Sequence, residues 1–121
     1  MATHCNWSDI EVEALTPLLG RQIIVGTNVM VARILLKKGC KIPLHSHHNE
    51  QITYVLEGAL HFLIDHREIT VSAGETLCIP PNMPHEAVAL EDTVDIDIFS
   101  PPRQDWIDKT DAYLRQETAA K

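Results

Sequence analysis

Three histidines in this chain have a spacing that suits the binding of a metal ion. His45 and His47 are two residues apart, and side chains two apart on an extended segment leave the same face. Two imidazoles on one face can share a divalent cation, and a histidine from a distant segment, such as His85, can complete the set. Gln51 is four residues after His47, so its side chain faces the same side as the two histidines if the chain is again extended there. The spacing therefore indicates a divalent metal site.

A histidine pair alone is a weak signal, because a strand histidine is usually a surface residue or a hydrogen-bonded core residue. His48 and Glu50 have the opposite parity and are expected to point away from the pair. The other histidines, His4, His61 and His66, are interpreted as ordinary residues, although His61 in mid-strand could line a pocket. The metal interpretation therefore depends on the residues around the pair.

A second group of candidate residues lies on the segment 93–99. Its alternation places Asp95, Asp97 and Phe99 on one face and apolar side chains on the other. If the acidic face lined a small barrel beside the histidines, its carboxylates would need a partner or a role. Arg103, held by two prolines, could be that partner or a clamp for a substrate carboxylate.

The candidate residues need a β framework to bring them together. Alternating apolar residues, separated by Gly, Pro or Asp/Asn, predict about nine short strands, which is typical of a sandwich or barrel. The predicted strands are 9–14, 21–25, 29–36, 51–56, 59–64, 68–71, 76–79, 86–90 and 93–99.

The chain changes character after the last predicted strand. Pro101 and Pro102 end it, because proline cannot donate to a sheet ladder. Asp105 is a reasonable N-cap, and apolar residues at helical spacing follow it, including Trp106. The sequence therefore predicts a short C-terminal helix over about 105–115 that packs on the barrel.

Composition sets limits on the class of protein. The chain has 121 residues, 45% of them hydrophobic, which predicts one domain over 1–121 with its barrel at about 20–100. No apolar run approaches the roughly 20 residues that span a bilayer. A net charge of −7 without a basic patch argues against nucleic acid. Three widely spaced cysteines and a start without signal-peptide features predict a reducing, cytoplasmic location.

The two segments that contain the histidines resemble the signature motifs of the cupin superfamily, which read roughly G-x5-H-x-H-x3–4-E-x6-G and G-x5-P-x-G-x2-H-x3-N. Residues 39–58 carry the first resemblance and residues 74–85 the second. The resemblance implies an all-β fold: a single-domain cupin double-stranded β-helix, or jelly-roll barrel, with a short C-terminal helix.

This chain departs from the cupin motifs at three positions. Gln51 stands where the family usually has a metal-binding glutamate, Asn82 replaces a glycine, and Ala89 replaces the final asparagine. Asparagine is the best substitute for glycine in a left-handed conformation. A His/His/Gln/His set is neutral, so a bound cation would be a stronger Lewis acid. Glu50 could be the ligand only through a register change that inverts the strand faces.

A closer resemblance runs from about residue 7 to residue 114. The segments HSH at 45–47, EQITYVLEG at 50–58, IPPNMPH at 79–85 and DIFSPPRQD at 97–105 are similar to the KdgF-type cupins of pectin and alginate breakdown. The resemblance implies a metal-dependent isomerase or tautomerase that converts 4,5-unsaturated uronate monosaccharides to the linear keto form. It implies the metal ligands His45, His47, Gln51 and His85 and the catalytic residues Asp97, Phe99 and Arg103.

The sequence leaves several alternatives open. The rival functions are an Fe(II)-dependent cupin oxygenase and a non-catalytic cupin that binds a sugar acid. The cofactor is one divalent transition metal, and Ni, Fe, Mn, Co and Zn all suit three imidazoles and an amide oxygen. The expected partners are an anionic sugar acid and a second copy of the chain. The interface of that homodimer could be the apolar face of 93–99 or the N-terminal strand.

Overall fold

The structure, a computed structural model, describes residues 1–115. In that range the chain forms two antiparallel sheets, with strand orders β1-β2-β3-β10-β5-β8 and β4-β9-β6-β7. The strands are β1 Glu13–Thr16, β2 Leu19–Val25, β3 Met30–Leu36, β4 Lys41–His45, β5 Glu50–Glu57, β6 Ala59–Ile64, β7 Arg67–Ser72, β8 Thr76–Ile79, β9 His85–Ala89 and β10 Thr93–Ser100. This architecture confirms the all-β jelly-roll prediction.

The core lies between the two sheets and follows from the period-two pattern of the strands. On β3 every second residue is buried, from Met30 at 0% exposed to Leu36 at 4%. The facing sheet contributes Phe62 and Ala87 to the same apolar cluster. Burial of these side chains is the main stabilising contribution to a barrel of this size.

Polar residues replace apolar ones on part of the inner surface. Strand β10 lies between β3 and β5, and its residues Asp97 and Phe99 pair with Thr53 and Gln51 of β5. All four side chains, and that of Asp95, are buried. The alternation predicted for 93–99 is therefore correct, and the acidic face is the inner one.

Strand β4 was not predicted, although it ends at His45. Pro43 lies within it, and a proline usually predicts the end of a strand. Strand β4, however, is an edge strand of the four-stranded sheet, and proline is tolerated there because the outer side of an edge strand needs no backbone N–H for hydrogen bonding. The N-terminal strand was predicted at 9–14 and actually begins at Glu13. Asn6 instead caps a 3-10 helix over Trp7–Asp9 in a reciprocal capping box.

The predicted short C-terminal helix is present, but it is shorter than the predicted range 105–115. The segment forms a single α-helical turn, α1 (Gln104–Ile107), and a 3-10 turn over Ala112–Leu114. Lys109 has a φ of +59°, which breaks the helix between them. Residue 103, and not Asp105, is the N-cap. The break lets the second turn fold back, so that Asp111 is buried on the barrel.

A buried ion pair fixes this C-terminal segment. The Nη1 of Arg21 on β2 donates to the Asp111 carboxylate at 2.6 Å, and both side chains are fully buried. Arg21 also donates to Glu13, and its guanidinium lies 4.5 Å from the ring centroid of Trp106. The segment lies against the end of the barrel that carries the histidines, because the ring of its Tyr113 stacks on that of His45.

Candidate metal centre

Three histidine side chains meet inside the barrel. His45 ends β4 and pairs with His85 at the start of β9, while His47 lies in the loop after β4. One ligand nitrogen from each ring lies within 4.8 Å of the others. The structure thus brings together the three histidines that the sequence selected.

The imidazoles are held by backbone carbonyls in one common manner. The Nδ1 atoms of His45, His47 and His85 lie 2.8, 3.0 and 2.9 Å from the carbonyl oxygens of Pro43, Asn49 and Met83. A carbonyl fixes Nδ1 as the protonated donor, so Nε2 carries the lone pair. This arrangement is typical of metal-ligating histidines, and it prepares three Nε2 atoms for one cation.

The fourth candidate ligand is Gln51 and not Glu50. Gln51 is 6% exposed and its Oε1 lies 3.1 Å from Nε2 of His47, whereas Glu50 is on the outer side of β5. The register change that would bring Glu50 inward is not adopted. The Nε2 of His85 is buried without a hydrogen-bond partner among residues 1–115. A metal ion would satisfy that atom, so the residues present fit the predicted cofactor.

Loop geometry supports the centre at two points. Asn82 has a φ of +66°, as expected for an asparagine in place of a motif glycine, and its N–H donates to the carbonyl of His47 at 2.7 Å. Asn49 is 2% exposed, and its amide donates to the carbonyls of Pro101 and Pro102. The loop of His47 is therefore tied to both neighbouring turns.

The electrostatic environment keeps the histidines neutral. Burial, together with the nearby His85, lowers the pKa of His45 to about 3. Burial and the charge of Arg103 lower the pKa of His47 to about 4, and burial also lowers the pKa of His85. Neutral imidazole is the form that binds metal, so these ligands need not lose a proton near neutral pH.

We expect metal affinity to depend only weakly on pH between 7.5 and 5.5. A lowered pKa means that protons compete for His45 and His47 only at more acidic pH. Three imidazoles with ordinary pKa values near 6.5 would lose about 10³-fold in affinity over this range, and we expect less than about 10-fold here. Calorimetric titration with Zn(II) at both pH values measures the change. A loss of about 10³-fold would contradict this account of the site.

Two carboxylates lie beside the histidines on β10. Asp97 accepts a hydrogen bond from Oγ1 of Thr53 at 2.8 Å, and Asp95 is 3% exposed with Oδ1 unpartnered within the described range. Burial raises the pKa of both groups, and the Asp97 charge raises that of Asp95 further. A hydrogen bond between the two carboxyl groups affects the pKa of both. Burial favours the neutral form of a carboxyl group over the charged form, so such a pair is suited to share a proton.

Arg103 is buried at the same cavity. One prediction was that it pairs with the inward carboxylates of β10, but its ion-pair partner is a different residue. Its Nε and Nη2 donate to Asp105, and Nη2 also donates to the hydroxyl of Tyr113. The proposed pairing with Asp95 or Asp97 is therefore wrong, because Asp105 two residues away occupies that edge of the guanidinium. The remaining atom that could donate to a ligand is Nη1.

Aromatic rings complete the wall of the cavity. Phe99 lies edge-on to His47 with 5.7 Å between ring centroids, and Tyr113 stacks on His45 at 4.6 Å. His61, which could have lined a pocket, instead contacts Thr70 and Glu68 on the outside of the barrel.

Sequence reasoning missed three residues of the site. Thr53 shares the parity of Gln51 on one strand, and that signal was available. Asp95 was placed on the inner face but was given no role of its own. Tyr113 reaches His45 only because the helix breaks at Lys109, and no pattern in the sequence shows that break.

A jelly roll with inward histidines from β4, its following loop and β9 defines the cupin class. The cupin domain family matches residues 32–100, more than half of the chain. The chain therefore belongs to the cupin family.

Particular relatives agree with this assignment. KdgF from Halomonas sp. is 28% identical with a TM-score of 0.83, over 88% of this chain and 99% of that one. An RmlC-like cupin from Shewanella frigidimarina is 30% identical with a TM-score of 0.81, over 88% of this chain and 96% of that one. An uncharacterised protein of Methanocaldococcus jannaschii is 36% identical over 70 residues, 57% of this chain and 56% of that protein. The match thus spans about half the length of this curated relative.

Proposed function

We propose that this cupin is a metal-dependent isomerase that converts 4,5-unsaturated uronate monosaccharides to their linear keto form. The observation that carries the proposal is the meeting of three kinds of group in one cavity. They are a neutral ligand set, a buried carboxylate pair and a buried guanidinium. The resemblance to the KdgF-type cupins supports the same reaction.

The ligands for the metal would be His45, His47, His85 and Oε1 of Gln51. A divalent cation there would supply a Lewis acid beside the substrate oxygen on which negative charge develops. Because all four ligands are neutral, they leave the charge of the cation available to an anionic substrate. The set does not select among Ni, Fe, Mn, Co and Zn.

Asp97 would move the proton. The ring of the substrate opens when the hemiacetal hydroxyl gives its proton to Asp97 and the bond between C1 and the ring oxygen breaks, which leaves an aldehyde and an enolate. Asp97 then returns that proton to C4, and the enolate becomes a ketone. No atom is gained or lost. A buried carboxylate with a raised pKa is suited to both transfers.

Arg103 and Phe99 would hold the sugar. The Nη1 of Arg103 would donate to the substrate carboxylate, and Phe99 would offer an apolar surface to the ring. The cavity has a volume of about 50 Å³, and Tyr113 is among the side chains that line it.

The site favours proton transfer over the two rival functions. Dioxygen chemistry needs no buried carboxylate pair next to the metal, and a binding protein needs no group that transfers protons. The residues of this cavity are therefore explained best by isomerisation. Oxygen consumption that is stoichiometric with loss of substrate would favour the oxygenase instead.

The homodimer and the cytoplasmic location stay predictions. No helix within residues 1–115 is long and apolar enough to cross a membrane. The outer face of the larger sheet carries exposed Ile52, Tyr54 and Leu56 beside half-buried Ile96 and Ile98. A second copy of the chain would bury this apolar face.

Proton delivery to C4 can be tested by running the reaction in D₂O. If Asp97 delivers the proton from one side, a single position of the new methylene group becomes deuterated, because the site is chiral. The spontaneous reaction labels both positions and serves as the control. Proton NMR of the product distinguishes the two results. Equal labelling in the presence of the protein would argue against delivery from a fixed group.

A further inference from the structure

Thr53 occupies the centre of a buried chain of hydrogen bonds. Its side chain is fully buried on β5. Its Oγ1 accepts from Nε2 of Gln51 at 2.9 Å and donates to Oδ1 of Asp97 at 2.8 Å. One hydroxyl therefore touches both a candidate metal ligand and the candidate acid/base.

Which group donates in each of these hydrogen bonds follows from the single proton of the Thr53 hydroxyl. A threonine hydroxyl has one proton to donate, and Thr53 gives it to the Asp97 carboxylate. Toward Gln51 the hydroxyl can then only accept, so the NH₂ end of the amide must face it. The amide oxygen of Gln51 is left on the opposite side, 3.1 Å from Nε2 of His47. The oxygen thus faces the histidine cluster.

We propose that Thr53 is a positioning residue that sets the amide of Gln51 with its oxygen toward the metal and ties that ligand to Asp97. This inference rests on the proposed function, because Gln51 and Asp97 have their roles there. A glutamate ligand has two equivalent oxygens and needs no such device. A glutamine ligand turned over would present an NH₂ group, which cannot coordinate a cation.

The metal ligands and the proton-transfer group are therefore linked. Asp97 must accept from Thr53 for the amide of Gln51 to stay in place.

The test compares Thr53→Val with Thr53→Ser in the full chain, using affinity for Ni(II) from competition with a chelating dye. Removal of the hydroxyl is expected to weaken binding about 10–100-fold, and serine is expected to restore it to within about 3-fold of wild type. Thermal unfolding without metal confirms that each variant is folded. Wild-type affinity in Thr53→Val would overturn the proposal.

The same substitution made in a Gln51→Glu variant distinguishes positioning of the amide from a structural role of Thr53. In Gln51→Glu either carboxylate oxygen can face the metal, so Thr53→Val is expected to change Ni(II) affinity by less than about 3-fold there. An equal loss in both backgrounds would make Thr53 merely structural. These affinities are independent of turnover. A wild-type protein that binds Ni(II) but does not act on unsaturated uronates would contradict the proposed function and leave this test intact.

Discussion

Replacement of Asp97 by Asn is expected to lower kcat for the uronate reaction by about 10²–10⁴-fold, with metal content unchanged. Asparagine keeps the size of the side chain, and its carbonyl oxygen can still accept from Thr53. It cannot take up or release the proton that ring opening and ketone formation require. Steady-state kinetics together with metal analysis of the purified variant measure both quantities.

The control for this substitution is Glu57→Gln, which also removes one carboxylate but from an exposed position on β5. That variant is expected to keep wild-type kinetics. Loss of metal in Asp97→Asn would show that Asp97 has a structural role. Unchanged turnover would remove Asp97 from the chemistry.

Replacement of Asp111 by Ala is expected to destabilise the fold by about 3–5 kcal/mol, because it leaves the charge of Arg21 without its buried partner. Both side chains of the pair are fully buried, at a distance of 2.6 Å. The segment that Asp111 fixes also places Tyr113 on His45. Denaturant unfolding of the metal-free protein measures the loss of stability.

Asp108→Ala provides the matched control on the same segment. The Asp108 carboxylate is exposed and accepts only from Gln104 among the described side chains, so a change of within about 0.5 kcal/mol is expected. Similar values for the two variants would mean that the buried pair does not fix the segment.

The fold could be predicted because two independent signals agree. Alternation along the strands defined the inner faces, for example Asp95, Asp97 and Phe99 of β10. The spacing of glycines and histidines in 39–58 and 74–85 specified the class of barrel. Errors occurred where a tertiary contact outweighs a local pattern. Pro43 is tolerated because β4 is an edge strand, and the C-terminal helix breaks where the buried pair of Asp111 forms.

The candidate metal ligands could also be predicted, because parity decides which side chains of a strand enter the barrel. The sequence chose Gln51 over Glu50, and the structure places Gln51 inside. The partner of Arg103 could not be predicted in this way. Several acidic residues lay within reach of its long side chain, and only the fold selects Asp105.

The buried carboxyl groups of Asp95 and Asp97 show a further limit of sequence reasoning. A period-two pattern can place Asp95 and Asp97 on the same face. It cannot show that burial raises the pKa of both groups, because the shift depends on the side chains that the other strands place around them. The role of Thr53 needs the same three-dimensional information.

The most direct test of the account follows the ultraviolet absorbance of the enol in a 4,5-unsaturated uronate monosaccharide with and without the protein. The account predicts decay well above the spontaneous rate, abolished by EDTA and restored by a divalent metal. Decay no faster than the spontaneous rate, with metal shown to be bound, would contradict the proposed isomerase.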